Sequence, residues 1–539
     1  MIRYQSTKQL GIEEFRTPFE IKLDKNNRWV KLANLLPWDE LAEVYYSKMS
    51  REKGAPSINA RIVIGAMIIK HKHKFDDRET IAQIQENIYM QYFLGLSNYS
   101  YEEVFDRSLF TALRYRMGDK EFDQLNCIII DKAEEIEQGG KRPASPKKSQ
   151  PGTETKEEEV KNEEEQQEPK QETPAEIEVT EQTHMGKLKL DATVADQMIQ
   201  YPTDLGLLST AREESQRLID ELHQVVGVGK KPRTYRKKAR KQYLRVAKKK
   251  KKSKKEIRKA IGQQLRYLRR NLKSIHKQLD QLQQKEQHDW PLHHRDQKIF
   301  WVIQHIYAQQ MEMYLSKVHS TANRIVNIYQ PHVRPIVRGK EKAAVEFGAK
   351  LGVSLQNGFA RINTFNWEAY NESTDLKKQV NDYRTQNGYY PEVVLTDTIY
   401  GTKQNRDFLK QLGIRFAGKQ LGRPPKEELT YYEKRKRQKE RNERNHIEGK
   451  FGQGKNGYGL NKIRARQQKT SESWVSCIFF VMNILALIKK RGKKGKDFLF
   501  SIFIYPSTAL YTAQNAVKEL VSEITQAKFK LKPLEMDYS

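Results

Sequence analysis

The chain has 539 residues, room for two to four domains, and sets 98 Lys and Arg against 68 Asp and Glu for a formal net charge of +30. A field of that sign gathers polyanions, which makes nucleic acid the first candidate partner and an anionic membrane surface the second. Its two cysteines, Cys127 and Cys477, stand far apart, which excludes a disulfide framework and a cysteine zinc site and fits a reducing compartment.

The opening stretch MIRYQSTKQLGIEEF lacks the apolar core of a secretory signal. The longest apolar run, Val475 to Ile488, contains Asn483 and falls short of the ~20 residues that cross a bilayer. It reads as a buried helix, and the chain as a soluble cytoplasmic protein, nucleoid-associated and with no membrane partner. Residues 1–137 read as a helical domain. Leu32, Leu35, Leu41 and Val44 fit one helical face, and Ile62 to Ile69 make a buried helix after Ser57. Ile81, Ile84, Ile88 and Phe93 recur at helical spacing behind a cap at Thr80 or Asp77. Phe105 to Met117 predicts a helix with aromatics on one face and arginines on the other, which makes Arg114 and Arg116 candidate DNA contacts.

Residues 138–186 are rich in Glu, Lys, Pro, Ser and Gln and have no aromatics, the composition of a disordered acidic linker. Order is expected again from Gly186. LKLDATVADQ alternates as a short strand that places Asp191 at its end. AVEFGAKLGVSLQNGFARINTFNWE predicts two strands joined at Asn357-Gly358, a strong hairpin signal. Ser373 to Asp375 caps a helix that stops at Gly388, and PEVVLTD is a strand ending in Asp397. The helix NRDFLKQL, the strand IRFAGK and a long charged helix from about Glu427 through Glu448 follow. That order is the order of a ribonuclease H-like α/β domain, here over residues 187–490. Its large insertion, at about 205–335, lies between the first and second strands.

The insertion opens with a helix, continues through a lysine-rich tract from Lys230 to Lys259, and carries a heptad seam of Ile261, Leu265, Leu268, Leu272, Ile275, Leu279 and Leu282. A second amphipathic helix follows Trp290-Pro291, so a helical hairpin is the economical reading and an intermolecular coiled coil the runner-up. The tract is a solvated face by default; Tyr235 and Tyr243 among its arginines favour contact with DNA. Residues 491–539 are an extension without an assignable motif.

Cutting a phosphodiester needs an activated oxygen nucleophile and charge relief on the leaving oxygen, which two metal ions ~3.5–4 Å apart supply. Hard cations want oxygen ligands, so acids at neighbouring strand ends with one from a facing helix suit the task. Asp191 or Asp397 alone is an ordinary turn residue, and Arg444 with Glu448 alone is an i,i+4 ion pair. His71 and His73, near Asp76 and Asp77, read as surface polar groups. His288, His293 and His294 lack a fourth ligand of convincing spacing. No phosphate-cradling Gly-rich loop occurs, so ATP dependence is not implied.

Taken together, Asp191-Ala192-Thr193, the run LTDTIYGTKQN around Asp397 and Tyr400, the spacing Arg444, Glu448, Lys455, and the segments YGL and IRAR up to Arg466 resemble the DDE-type bacterial insertion-sequence transposases with a helical N-terminal domain. The resemblance implies Asp191, Asp397 and Glu448 as catalytic acids and as ligands of two Mg²⁺ ions, with Mn²⁺ as substitute. It implies DNA contacts at Arg441, Arg444, Lys455, Arg464, Arg466 and Tyr400, beside Arg114 and Arg116. The implied reaction is cleavage at transposon ends followed by strand transfer, acting on double-stranded terminal inverted repeats and target DNA as a homodimer. This chain departs from the family pattern at Arg441, where a tyrosine is usual, and at Thr398 and Ile399, where small residues are. A non-catalytic DNA-binding or repressor protein of the same fold, and a structure-selective nuclease, are the alternatives.

Overall fold

Asn and Asp side chains set where the N-terminal helices begin. In the computed structural model, which describes residues 22–50, 52–54, 56–137, 184–227, 229–284, 290–337, 345–419, 422 and 430–494, seven helices precede the sheet. They are α1 (Arg28–Leu35), α2 (Trp38–Tyr46), α3 (Ala60–His73), α4 (Asp77–Glu86), α5 (Ile88–Phe93), α6 (Leu109–Arg116) and α7 (Asp119–Glu137). Asn27, Asn59, Asp76 and Asn87 each accept a hydrogen bond from a backbone N–H two or three residues on, which satisfies donors that a helix start leaves open. The cap of α4 is therefore Asp76, not Thr80 or Asp77. Asn87 likewise splits the Ile81–Phe93 repeat into two helices, and Pro37 separates α1 from α2. The expected Phe105–Met117 helix forms only over α6.

Strand β1 (Lys187–Asp196) begins the sheet, and four helices follow it: α8 (Asp204–Val226), α9 (Arg236–Ala247), α10 (Lys254–Gln283) and α11 (His294–Ser316). Then come β2 (Arg334–Val337), β3 (Val345–Gln356), β4 (Phe359–Asn366), α12 (Leu376–Asn387), β5 (Val393–Leu395), α13 (Lys403–Gln411), β6 (Arg415–Phe416), α14 (Tyr431–Gly452) and α15 (Gln468–Lys494). β3 pairs antiparallel with β1 on one edge and with β2 and β4 on the other; β1–β5 and β5–β6 are parallel. Asn357 and Gly358 both take positive φ (49° and 89°) in the two-residue turn between β3 and β4, as a hairpin turn of this kind demands. β2 was not foreseen, and the expected IRFAGK strand shrinks to Arg415–Phe416. The 138–183 part of the expected linker, and the C-terminal stretch from 495, lie outside the described residues. His184 already bridges to Tyr390, two residues before the expected start at Gly186.

Both faces of the sheet are covered, which makes the architecture mixed α/β. Leu188, Leu190 and Val394 pack with Leu376, Val380 and Tyr383 of α12 on one side. Ala195, Ala349, Leu351 and Val353 meet Ile447 of α14 and Val475, Ile478, Phe479 and Met482 of α15 on the other. Other residues of α15, Cys477, Phe480, Val481 and Ile484, enter the core of the N-terminal helices. α15 is long and apolar enough to cross a membrane, yet 83% of its most apolar window is buried inside the fold, so it is the shared core helix. Asn483 is one of its buried polar residues. It accepts from the Ala360 N–H (2.9 Å) and donates to the Ala360 carbonyl (2.8 Å) and to Asn126 of α7 (2.9 Å), joining sheet edge to N-terminal helices.

The insertion has its own core, formed by α8, α10 and α11. The heptad seam of α10 faces inward there, and a second seven-residue row runs beside it. Gln264 accepts from Arg212 (3.0 Å), Asn271 donates to Ser215 (2.9 Å) and Gln278 donates to the Ile219 carbonyl (3.3 Å). These bonds to α8 of the same chain, with one from the Gln264 amide to the Ala239 carbonyl of α9 (3.2 Å), tie the helices in one register, as buried polar residues do in coiled coils.

Candidate active site

The parallel register between β1 and β5 decides the central geometry. Lys187 pairs with Val393, Leu188 with Val394 and Lys189 with Leu395. Two residues further along each strand stand Asp191 and Asp397. Neighbouring strands lie ~4.8 Å apart and side chains two residues apart share a face, so the two carboxylates come to one level on one face. That face is the one α14 covers, because Lys187 ion-pairs with Glu443 of α14 at 2.8 Å. Asp191 is not at the end of its own strand: β1 continues to Asp196, held by β3, with Asp191 opposite Val353. It stands where the pairing with β5 ends. Asp397 turns out of β5 there and caps the short 3₁₀ turn Thr398–Tyr400, accepting from the Thr398 N–H at 2.6 Å.

α14 lies across the same strands. Glu440 ion-pairs with Arg415 of β6 (2.6 Å), Glu443 with Lys187 of β1, and Ile447 is buried in the core beneath. Glu448 follows and is 52% exposed, with its carboxylate on Arg444 at 2.7 Å. The helix survives Gly449 and Gly452 and passes into a π turn, Gln453–Gly457. Gly454 permits that turn, since a Cβ there would stand 3.2 Å from Leu460 and 3.4 Å from Met482. The wider turn carries Lys455 to Glu346 (3.0 Å) and Asp196 (3.6 Å), so Lys455 is engaged by two acids of the sheet and is not held out towards phosphate.

Burial raises the Asp191 carboxyl to about 6, with Glu372 and Asp397 pushing the same way and the Ala192 N–H and Arg444 opposing. Glu372 was missed by sequence reasoning, which took the ESTD segment only as a helix cap. It lies just before α12 and ion-pairs with Lys350 of β3 at 2.9 Å, while Tyr370 donates to Asp375 at 2.6 Å. Nothing local in the sequence marks these residues, because β3 and the α12 entry bring them beside Asp191 only in the fold. Tyr400, expected to touch DNA, is 0% exposed. Burial and the nearby charges of Glu372 and Asp191 push its ionisation far above the usual tyrosine range, and its hydroxyl meets no hydrogen-bond partner among the described residues.

The remaining expected contacts divide. Arg441, Arg464, Arg466 and Arg116 are exposed. Arg114 is spent inside the fold, on Asp77 at 2.8 Å and over the Trp474 ring at 5.4 Å, which explains why its arginine does not mark a DNA-facing surface. His71 is buried against Trp474 and His73 stacks on Phe75, so neither is a surface group. His293 caps α11, and His288 lies outside the described residues. Among the described residues no three His, Cys, Asp or Glu side chains gather closely enough to hold an ion. Asp191 and Asp397 nevertheless form an all-oxygen pair of the kind a hard divalent cation takes, and a cation beside them relieves the crowding that raises Asp191.

Residues 394–485, which include Asp397, Tyr400 and Glu448, match the family model described as "Transposase DDE domain". Residues 17–116, which include α1 to α6, match the one described as "Transposase domain (DUF772)". Asp191 lies outside both. The chain is also similar to the "Uncharacterized protein ORF8 in nfe locus" of Rhizobium meliloti, 28% identical over 131 residues, 24% of this chain and 62% of that protein. The match thus spans under two thirds of that relative's length. No solved structure matches. Two separate stretches of one chain that are similar to transposase domains support an insertion-sequence DDE transposase, a class that acts on DNA and generally uses divalent metals.

Proposed function

We propose that this chain cuts DNA at transposon ends and joins the freed 3′-hydroxyls to target DNA, with Asp191, Asp397 and Glu448 as its catalytic acids. The observation that carries this reading is the level placement of Asp191 and Asp397 at the end of the β1–β5 pairing, under the helix that bears Glu448. A strand order with β3 antiparallel to β1, and β5 and β6 parallel to it, supports a ribonuclease H-like catalytic domain over 187–490 with α8 to α11 as its insertion. The acids would hold two Mg²⁺ ions, which polarise the scissile phosphate and lower the barrier to forming the attacking oxyanion. Glu448 must leave Arg444 to join them, and Arg444 is then free to grip the phosphate alongside. Arg441, Arg464 and Arg466 contact the DNA backbone, and two copies of the chain bring two ends together.

A second reading, DNA binding without cleavage, rests on that same Arg444–Glu448 pair, which holds the third acid away. One experiment separates them. The chain is given Mg²⁺, a donor bearing the DNA that borders its gene on both sides, and a target plasmid. The wild type yields cut ends and joined product, and Asp397→Asn yields neither. Equal product from Asp397→Asn would overturn the assignment, and bound but uncut donor with the wild type would favour the second reading.

A further inference from the structure

The strongest feature outside the carboxylates is the basic face of the insertion. From Lys230 to Lys259 the chain carries eighteen Lys and Arg and one acid, Glu256, and all eighteen cations are exposed. Lys231 and Arg236 pair with Asp220, and Lys249 pairs with Glu256. The other fifteen have no acidic partner among the described residues. Six of them or their neighbours (Arg236, Lys237, Lys238, Arg240, Lys241, Arg245) ride on α9, whose Ala239 and Val246 anchor it to the bundle.

A plain solvated lysine face would leave its long side chains free to wander. Here arginines are held in place by rings. Arg270 lies over Tyr235 (4.6 Å) and Tyr267 (4.9 Å), Arg233 lies over Tyr235 (4.9 Å), and Arg258 lies over Tyr314 (4.4 Å). Tyr235 takes a left-handed backbone (φ 55°), a conformation unfavourable for a non-glycine residue, and its ring contacts both the Arg233 and the Arg270 guanidinium. A ring fixes an arginine without neutralising it, so the charge stays available to a phosphate. α9 spans ~18 Å. Duplex DNA presents a charge every ~1.7 Å of its axis, so the helix length suits several phosphates at once. No exposed large apolar side chain stands in the tract apart from Tyr235, so nothing there inserts into a bilayer and a membrane could hold it by charge alone.

We propose that this face of the insertion, centred on α9 and the Arg233–Tyr235–Arg270 stack, is a second docking surface for the backbone of duplex DNA, separate from the carboxylates. It rests on the reading of the chain as a protein that acts on DNA. The test uses the full chain with Lys237, Lys238, Arg240 and Lys241 all changed to Gln, and a second variant with Tyr235→Ala and Arg270→Ala. Binding is measured against salt with a 40-bp duplex of random sequence, the same length bearing the terminal repeat, duplex RNA, and vesicles of anionic phospholipid.

The expected result is a log K against log salt slope shallower by about 3 in the quadruple variant, with the melting temperature unchanged and a smaller loss in the stack variant. A loss on both duplexes marks a general backbone surface. A loss on the repeat alone marks the transposon end, and on the random duplex alone the target; each supports the proposal. Unchanged slopes on both duplexes overturn it, as does a loss confined to RNA or vesicles. If the wild type binds neither duplex in a salt-dependent way, the functional reading itself fails, which separates the two failures.

Discussion

Asp191→Asn is expected to abolish strand cleavage and yet make the metal-free protein more stable. The carboxyl is raised from 3.8 to about 6 by burial, with Glu372 and Asp397 adding to it. A raised acid favours the fold below its unfolded value and loses that contribution as pH rises through the folded one. At about 1.4 kcal/mol per pH unit, ionised Asp191 therefore costs the fold up to about 3 kcal/mol above pH 7. Asparagine cannot ionise and escapes this cost. The assay is calorimetric unfolding of wild type and variant in chelator at pH 5 and pH 8. The variant melts higher at pH 8, and at pH 5 the gap shrinks to roughly half. Adding Mg²⁺ at pH 8 raises the wild type and leaves the variant unmoved, because an ion that binds only the folded acids stabilises only the protein that has them. Parallel melting curves for the two proteins at both pH values would refute the reasoning.

Glu372→Gln removes the neighbouring charge that most raises Asp191, so in chelator the pH range over which ionised Asp191 destabilises the fold moves to lower pH; an unmoved range contradicts the placement of Glu372. Asn483→Leu strips partners from the Ala360 N–H and carbonyl and from Asn126, and lowers stability by about 3 kcal/mol in chemical unfolding, given ~1–3 kcal/mol for each buried group left unpaired. Lys455→Met takes the cation from Glu346 and lowers the melting temperature while leaving the salt slope of DNA binding unchanged; a shallower slope would return Lys455 to phosphate contact.

Local signals carried a good part of this fold. The Asn357-Gly358 turn, the Gly388 helix stop and the alternating run through Asp191 are all set by neighbours in sequence, and all recur in the structure. Boundaries that depend on distant partners were not legible. β1 runs five residues past Asp191 only because β3 pairs with it there, and β6 is cut to two residues because only Arg415 and Phe416 find partners on β5. For the candidate site, Asp191, Asp397 and Glu448 were assigned by the resemblance of the motifs around them, and those motifs said nothing of the state of the side chains. The Arg444–Glu448 pair, the burial of Tyr400 and the diversion of Lys455 all follow from how α14 and its π turn lie on the sheet. Arg114 misled for the same reason, since Asp77 and Trp474 reach it only across the N-terminal core.

The most direct test of the central claim asks whether bound divalent metal lies beside all three acids. Fe²⁺ bound in place of Mg²⁺, with ascorbate and peroxide, releases hydroxyl radicals that cut the nearby backbone, and the fragments can be sequenced. With DNA bound, cuts are expected close to 191, 397 and 448, suppressed by excess Mg²⁺ and lost in Asp397→Asn. Cuts scattered along the chain, or clustered at 191 and 397 with none near 448, would contradict a three-carboxylate metal site.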